Sequence, residues 1–365
     1  MIRIMIVDDS PYSQQCLAKI INSTVGMSVV AQAMTAQTAF EDIIAEQPDA
    51  VLLSTEMKAI DSLAFLAELM ESTPLPVLIL STLTEKGTSM TLSALELGAL
   101  DFVTKPAEND HYGWLGIESF LSVKLQSIIK LQVSRRMNHY KKNSFVANQY
   151  VGQLSCYEHE QVLQYREQDL AKLVVAIGAS TGGIEALKYI LSSLPDCYPP
   201  IVIVQHIPEQ FSPVFVERLN AVSSLSIHKV KDQTVIYPGY VYIAPGDQHM
   251  RLVLSGTGQY LCELFDEAKV SGHRPSVDLL FQSVSAVCGS YAIGALLTGM
   301  GKDGAEGLLA MKKAGASVLV QDKQSSVIWG MPGEAFAKGC QENVISLEQI
   351  PRRLSQLILE KLMTR

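Results

Sequence analysis

The sequence predicts an α/β protein of two domains, each built on a parallel or mainly parallel sheet. Three observations carry this. Short apolar runs alternate with stretches whose apolar residues recur at helical spacing. The alternation starts twice, at Ile2 and again at Leu173. A polar stretch with little apolar periodicity, Ser134 to Asp169, separates the two series. A length of 365 residues suits two such domains.

In the first series, Ile2 to Val7, Val29 to Ala33, Ala50 to Leu53, Val77 to Leu80 and Phe102-Val103 read as strands. Leu63 to Met70 and Thr88 to Leu97 read as helices between them. Five βα units imply a five-stranded, parallel, doubly wound sheet with helices on both faces. Ligands of such a sheet gather at the carboxyl ends of its strands. This domain spans 1–106, with a helix from about Trp114 to Val133 behind it. Residues 134–170 are expected to be a linker, and 171–365 a second domain.

In the second series, Leu173 to Ile177, Ile201 to Val204, Ile293 to Leu297 and Ser317 to Val320 read as buried strands. Ile184 to Leu194, Val277 to Val287 and Ala305 to Ala314 read as the helices between them. Tyr240 to Ala244, Arg251 to Leu254 and Tyr260 to Leu264 are expected as antiparallel additions, making a mainly parallel sheet.

Composition narrows the function. Residues 1–106 hold 5 Lys+Arg against 13 Asp+Glu, a net of 5 − 13 = −8, and the rest of the chain balances at 24 of each. Neither half is basic enough to suggest nucleic acid. The six cysteines never form Cys-x-x-Cys, which argues against a zinc site or disulfide framework and fits a reducing, cytoplasmic setting. No apolar run approaches the roughly 18 residues of a membrane span. The amino end, with Asp8-Asp9 close behind its apolar run, does not read as a signal peptide.

Val174 to Leu187 is the most informative segment. A buried strand enters Gly178-Ala179-Ser180-Thr181-Gly182, a G-x-S-x-G turn, and passes straight into a helix. Such a turn presents a serine hydroxyl beside free backbone N–H groups that favour developing negative charge. A phosphate- or dinucleotide-binding loop is the alternative, although the G-x-G-x-x-G spacing is missing. His206 follows the next buried strand, and Asp303 lies in a third strand-to-helix turn. Alone, either is more often structural, the aspartate as a helix cap. Together, Ser180, His206 and Asp303 emerge from one sheet edge with the residue types of nucleophile, base and orienter. The order Ser…His…Asp disfavours an α/β-hydrolase, which runs Ser…Asp…His.

Ile177 to Gly183, Gln205-His206, Ile243 to Met250, His273 to Asp278 and Leu297 to Ala305 resemble the chemotaxis protein-glutamate methylesterases, the CheB family. The resemblance covers nearly all of 171–345. It implies a serine esterase that hydrolyses glutamyl γ-methyl esters on a methyl-accepting chemoreceptor, with glutamine deamidation as a second activity of the family. It also implies that Ser180, His206 and Asp303 form the triad, that Thr181 and Met300 line the site, and that catalysis needs no cofactor.

The first domain resembles the flavodoxin-like receiver domain of response regulators. In that family the residues matching Asp8 and Asp9 bind Mg²⁺, the one matching Ser81 contacts the phosphoryl group, and the one matching Lys105 pairs with it. The departure is Ser54, where the family has the aspartate that accepts phosphate from a histidine kinase. A serine has no carboxylate to form an acyl phosphate and removes a metal ligand, so Mg²⁺ binding is expected to be weak or lost. Lys58 also replaces a usual proline. The competing reading is a non-enzymatic scaffold that binds receptor or kinase. A DNA-binding output is disfavoured by the absence of a basic helix-turn-helix segment.

Overall fold

The computed structural model describes residues 1–58, 60–137 and 167–363, which fall into two compact units. The first contains β1 (Ile2–Val7), α1 (Pro11–Ser23), β2 (Met27–Ala33), α2 (Ala36–Glu46), β3 (Ala50–Ser54) and α3 (Ser62–Ser72). β4 (Val77–Ser81), α4 (Glu85–Glu96), β5 (Asp101–Thr104), α5 (His111–Gly116) and α6 (Glu118–Met137) complete it. Its strands pair in parallel in the order β2-β1-β3-β4-β5. β3 and β4 are buried along their whole length, as near-continuous apolar strands covered on both faces should be. Ser10, Thr35, Asp61 and Thr84 cap α1 to α4, each accepting a first-turn N–H. Such a cap contributes about 1 kcal/mol. Ile4, Ile6, Leu52, Leu78 and Leu80 meet Leu17 and Ile21 of α1 and Leu121, Leu125 and Ile128 of α6 in one apolar cluster.

The helix expected from Trp114 to Val133 is two helices, because α5 ends at Gly116 and α6 starts anew at Glu118. Glycine is a poor helix former, which suits it to such a break. The expected linker, 134–170, lies outside the described residues at 138–166.

The second unit contains α7 (Glu167–Leu170), β6 (Val174–Ala179), α8 (Gly183–Ser192), β7 (Ile201–Gln205), α9 (Ser212–Asn220) and β8 (Ser226–Lys229). β9 (Thr234–Val235), β10 (Tyr240–Ile243), β11 (His249–Leu254), β12 (Tyr260–Phe265) and α10 (Val277–Cys288) follow. The chain then runs through β13 (Ala292–Leu296), α11 (Ala305–Lys313), β14 (Ser317–Gln321), α12 (Met331–Ala337), β15 (Val344–Ile345) and α13 (Ile350–Met363). Seven strands form one parallel sheet, ordered β15-β14-β13-β6-β7-β10-β8. A separate antiparallel sheet, β11-β12-β9, lies apart from it.

One expectation is overturned. Tyr240–Ile243 is not an antiparallel addition; it pairs in parallel with both β7 and β8. β8, Ser-Ile-His-Lys, shows only one buried residue, so no apolar run announces it. Residues 230–239 then cross back to β10 without a helix. The order reverses at β6: the chain goes first to β7 on one side and later to β13 on the other. In an open α/β sheet this reversal opens a crevice at the strands' carboxyl ends. Among the described residues no helix is long and apolar enough to cross a membrane.

Candidate active site

Ser180 leaves the sheet at the end of β6. Its N–H donates to Thr298 O at 3.0 Å, and the Gly183 N–H closes the turn onto Ser180 O at 2.8 Å. Gly182 adopts φ +77°, and a Cβ there would lie 2.5 Å from Val327 Cγ2, so only glycine fits. Thr181 is buried, and its carbonyl accepts from Thr298 Oγ1 at 2.9 Å. A Cβ on Gly299 would come within 2.8 Å of Ser180 Cβ, so bare backbone walls the nucleophile turn on that side. Met300, the next residue, is half-buried. Gln205 braces the turn from the other side, donating from Nε2 to Ser180 O at 2.9 Å.

His206 follows β7 and Asp303 lies beyond β13, the two strands that flank β6. His206 Nε2–H donates to Asp303 Oδ2 at 2.9 Å, so this pair spans the end of the strand from which Ser180 emerges. The His206 side chain is 7% exposed. Its Nδ1 is buried without a hydrogen-bond partner, so the expected Ser180–His206 contact is not closed. The partnerless lone pair is the ring's remaining basic site.

Asp303 is fully buried and saturated with donors. Oδ2 also accepts from the Val277 N–H at 2.7 Å. Oδ1 accepts from Ser276 Oγ at 2.8 Å and from the Asp278 N–H at 3.1 Å. Burial pushes its carboxyl up, but the His206 hydrogen bond and charge, with the Val277 and Ser276 donors, outweigh burial and hold it at about 2. The carboxylate thus caps the first turn of α10, where the helix dipole favours it. The arrangement is reciprocal: Asp278, inside that first turn, accepts at Oδ1 from the Gly307 N–H of α11 at 2.7 Å. Residue spacing gives no role to Ser276, Gln205 or Thr298. The nearest signal is Ser276 standing one residue before the apolar period of α10, which marks an N-cap.

In the first unit Asp8, Ser54 and Lys105 of the expected pocket meet, whereas Asp9 and Ser81 bond to other groups. Asp8 is fully buried. Its Oδ2 accepts from Lys105 Nζ at 2.6 Å, from Ser13 Oγ at 2.7 Å and from Ser54 Oγ; its Oδ1 accepts from the Ser10 N–H at 2.9 Å. Asp9 Oδ2 accepts from the Lys58 N–H at 2.6 Å. Ser81 Oγ donates to Thr82 O and Gly87 O, both at 3.1 Å. A hard divalent cation needs oxygen ligands with free lone pairs. Here an ammonium and two hydroxyls crowd one Asp8 oxygen, and Ser54 offers no carboxylate. These residues, as arranged, do not fit Mg²⁺. Among the described residues no group of three His, Cys, Asp or Glu side chains is placed to hold a metal.

Comparison with known proteins agrees with both units. Residues 175–354 match the CheB methylesterase family model, and 4–112 match the response regulator receiver domain model. Protein-glutamate methylesterase/protein-glutamine glutaminase 2 of Xanthomonas oryzae pv. oryzae is 41% identical over 356 residues, 98% of this chain and 97% of its own. Protein-glutamate methylesterase/protein-glutamine glutaminase 1 of Geobacter metallireducens is 42% identical over 353 residues, 97% of this chain and 95% of its own. The crystal structure of the Thermotoga maritima CheB methylesterase catalytic domain is 37% identical, with a TM-score of 0.50, and covers 51% of this chain and 98% of that one. With two such relatives matching it over nearly its whole length, the chain belongs to the CheB methylesterase family.

Proposed function

We propose that this chain is a cytoplasmic serine esterase that removes γ-methyl groups from glutamates of a chemoreceptor's cytoplasmic domain. The observation that carries the reading is the buried His206–Asp303 pair spanning the strand end that presents Ser180. Ser180 Oγ attacks the ester carbonyl while His206 Nδ1, the basic site left open, takes the hydroxyl proton. Asp303 holds the imidazole and balances the charge of its protonated form. Backbone N–H groups of the turn after Ser180, other than the Gly183 N–H that closes it, stabilise the oxyanion with Met300, each such donor contributing roughly 3 kcal/mol. His206 returns the proton to the departing methoxide, methanol leaves, and water splits the glutamyl-serine ester to free the carboxylate. The same attack on a glutamine amide releases ammonia, which accords with the glutaminase activity in the relatives' names.

The receiver-like unit serves this enzyme without accepting phosphate. Ser54 at the acceptor position and the Lys105–Asp8 ion pair support that reading. Its partner is the receptor or its kinase, through protein contact rather than phosphotransfer.

The test is methanol release from a methylated receptor fragment by the full chain and by Ser180→Ala. Wild-type turnover with a silent variant is expected. Equal rates in the two would refute the mechanism, and an inactive wild type that still binds receptor would favour the scaffold reading.

A further inference from the structure

His249 is buried, and the mechanism above does not use it. Its ring makes two hydrogen bonds of opposite sense. Nδ1 accepts from the Ser276 N–H at 3.2 Å, and Nε2–H donates to Ala268 O at 3.1 Å. Opposite senses require one neutral tautomer, with the proton on Nε2. The two partners are the two ends of one loop, 268–276. Much of that loop is exposed at Ala268, Lys269, Ser271 and Gly272. One buried ring, packed on Phe265 with centroids 5.4 Å apart, therefore staples an otherwise solvent-facing segment.

The loop is shaped in its middle as well. Val270 and His273 exchange both backbone hydrogen bonds, at 3.0 and 2.9 Å. Ser271 and Gly272 between them have φ of 52° and 84°, the tight hairpin turn that needs two positive φ values. This turn sets His273 against the active site. Its ring lies parallel to that of His206, with centroids 3.9 Å apart and planes 6° apart. The loop's last residue, Ser276, donates its hydroxyl to Asp303. A single loop thus touches both members of the His–Asp pair. His273 limits rotation of the imidazole out of its plane, and Ser276 fixes the carboxylate that aims it.

We propose that His249 is a positioning residue for ester hydrolysis: it staples loop 268–276, which orients His206 through the stacked His273 and Asp303 through Ser276. The inference rests on the esterase reading. Displacements of about 1 Å at a reacting group cost on the order of 100-fold in rate.

The test compares His249→Ala, His249→Asn, His273→Ala and His273→Phe in the full chain. It follows kcat and KM for methanol release from the receptor fragment. His249→Ala should lower kcat by about 100-fold with KM nearly unchanged. His249→Asn, whose Oδ1 replaces the Nδ1 acceptor for the Ser276 N–H, should recover about tenfold or more of that loss. His273→Ala should lower kcat by about tenfold, and His273→Phe, which keeps a stacking face, should restore it. His273 is only half-buried, so its two variants carry the test if His249→Ala does not fold. Unchanged kcat in His249→Ala and His273→Ala, an effect confined to KM, or failure of both rescues would overturn the inference while leaving an active wild type. A wild type that releases no methanol would overturn the esterase reading, and this inference with it.

Discussion

Asp303→Asn keeps the size of the side chain and removes its charge and one acceptor. Both oxygens of Asp303 face a main-chain donor: Oδ2 meets the Val277 N–H at 2.7 Å, and Oδ1 meets the Asp278 N–H at 3.1 Å. Neither donor can reverse its sense. Whichever way the amide turns, its NH₂ is set against one of them, and a buried N–H loses its partner. That costs roughly 1–3 kcal/mol. The missing negative charge at the start of α10 adds about 1 kcal/mol. A total near 3 kcal/mol lowers the melting midpoint of a domain this size by about 6–12 °C. The catalytic loss is larger. With the NH₂ toward His206, the ring must accept at Nε2 and carry its proton on Nδ1, the nitrogen that should take the serine proton. With the NH₂ the other way, it meets Ser276 and the Asp278 N–H. By the general behaviour of Ser–His–Asp triads, kcat should fall about 10⁴-fold. Methanol release gives the rate, and a circular-dichroism melt gives the midpoint. A variant within about tenfold of wild-type kcat and melting at the same temperature would refute the roles assigned to both oxygens.

Ser180→Ala and His206→Ala should each abolish methanol release, Ser180→Ala with little change in the melt, and their double variant should be no slower than either, because the residues act as a unit. Asp278→Asn tests the second buried carboxyl. Burial raises it, the Gly307 N–H opposes the rise, and the Asp303 charge adds to it. A raised folded value means wild-type stability is lost as pH climbs through it, a loss the neutral variant lacks, so the variant's melting midpoint should rise relative to wild type from pH 4 to pH 8; a difference that stays constant with pH would contradict this. Acetyl phosphate with Mg²⁺ should leave the mass and the esterase rate of the full chain unchanged, whereas stoichiometric Mg²⁺-dependent labelling of the first unit would show a working acceptor. A catalytic fragment starting at Glu167 should outlast one starting at Ala171, because Leu170 is fully buried and a buried leucine contributes about 1.5–3 kcal/mol; equal urea midpoints would rule that out.

Periodicity is a local property, and the local features of this chain were legible without coordinates. Every expected strand of the first unit forms, most of them longer than their apolar runs by a residue or two. The G-x-S-x-G turn joins β6 to α8 where the pattern changes period. Ser180, His206 and Asp303 could be named because each follows a buried strand, and parallel strands put their carboxyl ends on one edge. Tyr240–Ile243 misled because strand direction depends on a partner, and its partner β8 is a polar edge strand with no apolar run. Ser54 can be read from sequence, but its surroundings cannot: Ser54 and Lys105 both meet Asp8, and the Lys105–Asp8 pair joins residues 97 positions apart. The same holds for the staple. Nothing in the spacing of His249, Ala268, His273 and Ser276 marks them as one device, because the hydrogen bonds and the ring stack that join them exist only once β11, β12 and α10 are packed. Sequence determined which chemical groups stand at the sheet's edge. Tertiary structure decided which lone pairs are satisfied, which is left open on His206, and what holds that ring in place.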